Sequence, residues 1–273
     1  MSYEQFWQPL TSIYPTGEAK AIARLVLEVH CGLSMTDIVC GKATTLDERE
    51  LAALQARLLQ GEPVQYVIGE ADFGGHLFMV GPGVLIPRPE TLWLCKTVCQ
   101  HIGTAPRKVL DIGTGSGCIA ITIARERPTA TVTAWDVSNE ALQLARRNAA
   151  RQEVDIDFEH QDMLSAPDDH EMWDAIVSNP PYICQQEQAA MEHHVLDFEP
   201  HLALFVPDDD PLLFYRSIAR YAIKALKQGG ALYLEINPIY ANDLADLLHH
   251  TGFRQVSIHK DDFDKDRYII ACK

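Results

Sequence analysis

From residue 107 onward, apolar runs of strand length alternate with segments of helical spacing, and this alternation restricts the fold more than any other property of the chain. The runs lie at 107–111, 131–136, 154–159, 173–178, 230–236, 254–260 and 267–272. Strands covered on both faces read as continuous apolar runs, and parallel neighbours need a crossover helix between them. The pattern therefore predicts a mostly parallel sheet with helices on both sides. The last two runs have no helix between them and are expected to pair antiparallel. The expected class is α/β, with a Rossmann-like, seven-stranded domain.

Two other regions precede that domain. Tyr3, Phe6, Trp7, Leu10, Ile13 and Tyr14 fall at helical spacing, as do Ala19, Ile22, Ala23, Val26 and Val29. A further helix is expected to open at Thr45, where Thr45 and Glu48 match a capping box, and to stop at Gly61. The period then switches to two: Val67 to Phe73 and His76 to Val80 flank Gly74-Gly75, which predicts a β-hairpin. The expected division is a helical bundle over 1–65, a hairpin linker over 66–83 and the sheet domain over 84–273.

Charge narrows the functional classes. The net charge is −15, and residues 1 to 75 carry five Lys or Arg against ten Asp or Glu, so no surface built to neutralise phosphates is expected. The seven cysteines include no CxxC pair and are expected to be reduced thiols, while the eleven histidines show no metal-ligand spacing. No metal is expected. The start, MSYEQFWQPL, lacks a signal-peptide pattern, and no run reaches the ~18 apolar residues of a membrane span. A cytoplasmic chain without membrane contact is expected.

The first run of the sheet leads into Asp111-Ile112-Gly113-Thr114-Gly115-Ser116-Gly117 and then a helix. Glycines let a backbone turn sharply and approach a ligand closely, and a helix start offers free N–H groups. The spacing is GxGxG, not the dinucleotide GxGxxG, and Asp111 stands directly before it. A carboxylate there opposes a pyrophosphate but suits the ammonium and sulfonium of S-adenosylmethionine. Asp136 ends the second run nineteen residues after Gly117, the place of an acid that holds ribose hydroxyls. Asp162, after the third run, is placed to accept from an adenine amine, with Met163 packing on the ring.

The fourth run enters Asn179-Pro180-Pro181-Tyr182. A residue before proline is pushed into extended conformation, so two successive prolines stiffen this corner. The Asn179 side-chain carbonyl and the Pro180 backbone carbonyl then form a fixed pair of acceptors suited to a planar NH2 group, with the Tyr182 ring to pack on it. With the strand order 3-2-1-4-5, the order reverses between the first and fourth strands, and ligands of open α/β sheets bind at such a point. The glycine loop and the Asn-Pro-Pro-Tyr corner would share one crevice.

The combination of Val84-Leu85-Ile86-Pro87-Arg88-Pro89-Glu90-Thr91, DIGTGSG from Asp111, Asp136, SNPPYI from Ser178, Glu199-Pro200 and KDDFDKDRYI from Lys260 resembles the HemK/PrmC family of protein-glutamine methyltransferases. The likeness spans nearly the whole chain. It implies a class I S-adenosylmethionine-dependent methyltransferase domain, S-adenosylhomocysteine as product, and class 1 peptide chain release factors as substrate, methylated on the glutamine of a Gly-Gly-Gln loop in support of translation termination. It implies Asp111, Gly113, Thr114, Gly115, Ser116, Gly117, Asp136, Asp162, Met163 and Asn179 as cofactor-binding residues. Asn179, Pro180, Pro181 and Tyr182 would bind substrate, with Asn179, Pro180 and Tyr182 catalytic. The N-terminal helical region would recognise the protein substrate, and a monomer is expected. Arg88 and Glu90 mark either a site edge or a helix start. Leu92 stands where the family often has a second Glu, and Asn237-Pro238 with Tyr240 replaces a common Gly and Gln. The rivals are a nucleic-acid amino-methyltransferase, disfavoured by the acidic N-terminal region, and a non-catalytic nucleotide-binding protein, which leaves the Asn-Pro-Pro-Tyr corner unexplained.

Overall fold

The computed structural model describes residues 1–42 and 47–273, which divide into a helical unit (1–70 and 191–198) and a larger unit (71–190 and 199–273). Some helices of the first unit start on side-chain caps, whereas Thr16–Cys31 and Val64–Ile68 follow prolines and have none. Ser2 caps Tyr3–Leu10 reciprocally with Gln5, and Asp47 does the same with Glu50 for Glu48–Leu59. The capping box of this helix is therefore Asp47/Glu50; Thr45, expected to open it, lies outside the described residues. The helix Thr16–Cys31 ends on Gly32, whose left-handed backbone (φ 64°) terminates it. Phe6, Leu10, Ala23, Val26, Leu51 and Leu58 form the core of this unit. Ile13 is not part of it: the first helix stops at Leu10, and Ile13 follows in a turn, exposed. Val29 also faces outward.

The hairpin is β1 (Glu70–Phe73) and β2 (His76–Met79), turned by Gly74 and Gly75 at φ 63° and 81°. Two successive positive φ angles suit the twist of a tight hairpin. Its first strand is shorter than the period-two pattern predicts, because Val67 sits in the helix Val64–Ile68, which Gly69 closes at φ 81°. Phe73 and Phe78 meet edge to face at 5.9 Å and are buried in the core of the larger unit, so the hairpin belongs to that unit's packing.

The central sheet contains β3 (Lys108–Ile112), β4 (Thr131–Asp136), β5 (Asp157–His160), β6 (Trp173–Ser178), β9 (Leu226–Glu235), β10 (Gln255–Lys260) and β11 (Asp266–Cys272). Its order is β10-β11-β9-β6-β3-β4-β5; β10 and β11 pair antiparallel, as the sequence pattern predicts, and β11 is also antiparallel to β9. The other pairs are parallel. Alternate residues of β3 feed two cores: Val109 packs with Val98 and Ile121 on one face, Leu110 and Ile112 with Ile218 and Leu234 on the other. Between β6 and β9 the chain forms a small parallel pair, β7 (Ile183–Cys184) with β8 (Phe205–Val206), which no period-two run announces. β7 directly follows Tyr182, so this pairing anchors the exit of the Asn-Pro-Pro-Tyr corner.

Candidate active site

The order reverses between β3 and β6, and the two strand ends there are tied together: Ser178 Oγ donates to the Ile112 carbonyl at 2.7 Å. Gly113 and Thr114 donate their backbone N–H groups to the Trp135 carbonyl at 2.8 and 2.9 Å, bending the loop toward β4. Gly113, Gly115 and Gly117 all have positive φ. Their surroundings differ. A Cβ on Gly117 would lie 2.9 Å from Ile121 Cδ1 and 3.2 Å from Ala145 Cβ, so glycine is needed there for packing. A Cβ on Gly113 would meet nothing within 4 Å, because that residue faces open cavity.

Asp111 works inside this loop. Its Oδ2 accepts from Thr114 Oγ1 at 2.6 Å and from the Ala120 N–H at 3.2 Å, which holds the loop to the start of the helix Cys118–Glu126. The side chain is fully buried and does not line the cavity; Oδ1 has no partner among the described residues. Burial pushes its carboxyl up to about 7, against the two hydrogen bonds.

The cavity is lined by Gly113, Gly115, Asp136, Asp162, Met163 and Asn179, among others. Thr114 and Ser116 share that wall. Asp136 accepts from the Gly115 N–H on Oδ2 (2.8 Å) and from the Ser138 N–H on Oδ1 (2.9 Å), leaving lone pairs on both oxygens. Burial raises its pKa, and these backbone donors oppose the rise. Asp162 uses Oδ1 to cap the short helix Met163–Ser165 through the Leu164 N–H at 2.9 Å. Its other oxygen is available to a ligand. A glycine backbone with open space, two carboxylates with spare acceptors and the buried Met163 wall fit a nucleoside carrying a charged tail.

At the corner, Ser178, Asn179, Pro180 and Pro181 line the same cavity, whereas Tyr182 does not. Tyr182 instead turns its hydroxyl to Glu235 Oε1 at 3.2 Å. Asn179 Nδ2 donates to Thr91 Oγ1 at 3.4 Å, and Thr91 Oγ1 donates to Glu235 Oε2 at 2.6 Å. Glu235 is buried at the end of β9, and desolvation raises its pKa against the hydrogen bonds from Thr91 and Tyr182. Neither Thr91 nor Glu235 is expected from sequence reasoning. The available signal is that Glu235 ends the strand beside β6, where side chains border a reversal-point crevice.

Residues around the corner resolve the remaining ambiguities. Arg88 pairs with the buried Glu199 at 2.5 Å, and Glu199 also accepts from the Ile86 N–H at 3.2 Å. This holds the proline-punctuated segment against the Glu199-Pro200 turn at the cavity edge. Glu90 precedes the helix Thr91–Ile102 without making a side-chain cap. Asn237 donates to the Tyr182 carbonyl at 3.2 Å and to the Glu187 carboxylate, and Tyr240 meets Cys184 Sγ at 3.3 Å. Asn237 and Tyr240 thus brace the back of the corner.

Comparison with known proteins places these features in a family. Residues 8–69 match the PrmC N-terminal domain and residues 92–199 the Methyltransferase small domain. A release factor glutamine methyltransferase of Bacteroides thetaiotaomicron is 46% identical over 97% of this chain and 96% of its own length. One of Flavobacterium psychrophilum is 41% identical over 97% and 95%. Among solved structures, a methyltransferase from Pyrococcus furiosus shares the fold at TM-score 0.54 and 19% identity, covering 81% of this chain and 98% of that one.

Proposed function

Because the chain belongs to the release factor glutamine methyltransferase family, we propose that its cavity binds S-adenosylmethionine beside a glutamine side chain and transfers the methyl group to the amide nitrogen of a release factor's Gly-Gly-Gln loop. The observation that carries this reading is the meeting of the glycine loop and Asn179 at one cavity, across strand ends joined by the Ser178 to Ile112 hydrogen bond. Bound there, the cofactor supplies an electrophilic methyl group on sulfonium. Every other task falls to the chain.

Asp136 would accept from the ribose hydroxyls, Asp162 from the adenine amine, and Met163 would pack on the ring, with the Gly113 and Gly115 backbone beside them in the cavity wall. An amide nitrogen is a poor nucleophile, since its lone pair is delocalised. Aligning it with the methyl and sulfur atoms removes an entropic cost that reaches ~7 kcal/mol or more in well-oriented systems. The Asn179 side-chain carbonyl and the Pro180 carbonyl hold the two amide hydrogens and favour the positive charge that develops on nitrogen, which is discharged when one of those hydrogens leaves to water as a proton. Asp111 supports the loop from within and does not touch the ligand.

The helical unit serves protein-substrate recognition in this reading, supported by its acidic balance and by the cavity-lining residues all belonging to the other unit. Residues 191–198 belong to that unit, so a fragment beginning at 71 leaves them without their packing partners. Transfer of radiolabelled methyl from S-adenosylmethionine to a release factor, with a Gly-Gly-Ala variant and duplex DNA as controls, tests the function. Labelling of the Gly-Gly-Ala variant or of DNA at the rate of the intact factor would exclude the glutamine assignment.

A further inference from the structure

The task of Asn179 depends on which way its amide faces. Only with Oδ1 toward the cavity can it accept from a substrate NH2, and the near-identical shape of the two ends does not choose between them. Its neighbour does. Thr91 Oγ1 lies 3.4 Å from Asn179 Nδ2 and carries one proton, which is committed at 2.6 Å to Glu235 Oε2. Having given up that proton, Thr91 can only accept, so the Asn179 nitrogen faces it and the carbonyl faces away.

The direction begins at Glu235. Its other oxygen, Oε1, accepts from Tyr182 at 3.2 Å, and burial together with the adjacent carboxylate holds the Tyr182 hydroxyl in its protonated form. With a hydroxyl donor on each oxygen and Arg267 favouring its charge against the cost of burial, Glu235 accepts through both. Glu235 and Thr91 are each 2% exposed and stand 144 positions apart, on β9 and at the start of the helix Thr91–Ile102. A buried carboxylate is costly, and a neutral side chain of equal shape would spare the protein that cost. What glutamine would not preserve is the sign of the hydrogen bond.

We propose that Glu235 and Thr91 are positioning residues that set the polarity of Asn179, so that its carbonyl is presented to the acceptor amide. The proposal rests on the reading in which Asn179 receives that amide. Glu235→Gln introduces an NH2 that can donate to Thr91, which frees the Thr91 proton for Asn179 and favours the reversed amide. Thr91→Val removes the acceptor at constant shape; Thr91→Ser keeps it.

The test is single-turnover methyl transfer to a Gly-Gly-Gln-containing release factor at saturating S-adenosylmethionine, with cofactor affinity measured separately. Glu235→Gln and Thr91→Val are expected to slow transfer about tenfold or more while cofactor affinity stays within about threefold, and Thr91→Ser to restore the rate to within about threefold. The loss should lie in the transfer step, with the concentration of release factor giving half-maximal rate little changed. Because the relay acts through Asn179, adding Thr91→Val to Asn179→Ala should slow transfer no further. A folded Asn179→Ala within about fivefold of wild type would sink the underlying reading. If Asn179→Ala is slow while folded Glu235→Gln and Thr91→Val keep the wild-type rate, the relay is overturned and the reading stands. Should both variants fail to fold, the wild-type protein labelled with nitrogen-15 decides: the Asn179 side-chain NH2 protons should show cross-peaks to the Thr91 side chain, and their absence overturns the relay.

Discussion

Ser178 Oγ donates to the carbonyl of Ile112 at 2.7 Å, fully buried, where the strand order reverses. Ser178→Ala removes that bond without altering the strand pairing. A buried hydrogen bond is worth about 1 kcal/mol, so the melting temperature should fall by about 2–4 °C. Methyl transfer should also drop several-fold, since Asn179 follows directly. Differential scanning calorimetry with a transfer assay checks both, and an unchanged melting temperature would mean the tie is redundant.

Asp136 holds Gly115 and Ser138 and keeps lone pairs toward the cavity. Asp136→Ala should raise the S-adenosylmethionine dissociation constant tenfold or more, because losing a charged hydrogen-bond partner costs about 1.5–3 kcal/mol. Isothermal titration measures it. Wild-type affinity in the variant would remove Asp136 from the site.

Asn179→Ala should fold and retain most of its cofactor affinity, yet lose about a hundredfold in single-turnover transfer, equivalent to ~2.7 kcal/mol of transition-state stabilisation. Tyr182→Phe should behave differently. Its ring stays outside the cavity wall and only the donor to Glu235 is lost, so its cost should appear more in stability than in rate. A Tyr182→Phe enzyme as slow as Asn179→Ala would mean that the hydroxyl's bond to Glu235 is needed in the transfer step itself.

Gly113 and Gly117 separate two uses of the same residue type. Gly117→Ala, at φ 83° with its methyl 2.9 Å from Ile121 Cδ1, should destabilise the fold by on the order of 1–3 kcal/mol from strain alone. Gly113→Ala, at φ 73° beside open space, should be better tolerated by the fold and should weaken cofactor binding. Urea unfolding and cofactor titration of both variants would reveal the contrast; equal effects on both quantities would refute it.

Burial places the Asp111 carboxyl at about 7 in the folded chain, above the 3.8 of the free side chain. Between those values the folded protein holds a proton that the unfolded chain has released. The contribution of this group to stability is therefore complete below pH 3.8 and is lost as pH rises through about 7. Asp111→Asn removes the titration, so the stability of wild type relative to the variant should decline from about pH 4.5 to about pH 7.5. A flat difference in urea unfolding across that range would show the carboxyl ionised throughout.

The order of the chain by itself determined the sheet and its crevice. Strand alternation, the glycine spacing before a helix and the two prolines after Asn179 act over a few residues, through sterics and period, and so can be read without partners. The antiparallel closing pair followed from the same short-range rules, while the order that sets the reversal between β3 and β6 is a property of the assembled sheet. Tertiary structure decided what each polar side chain faces. Asp111 and Asp136 both stand at strand ends and look alike in sequence, yet one turns into the core to hold Thr114 while the other lines the cavity. Thr91 and Glu235 meet across 144 positions, and Asn237 reaches back to the Tyr182 carbonyl. Hydrogen-bond partners in a buried site depend on which surfaces close over it, and that closure is set by packing between distant segments, not by local period.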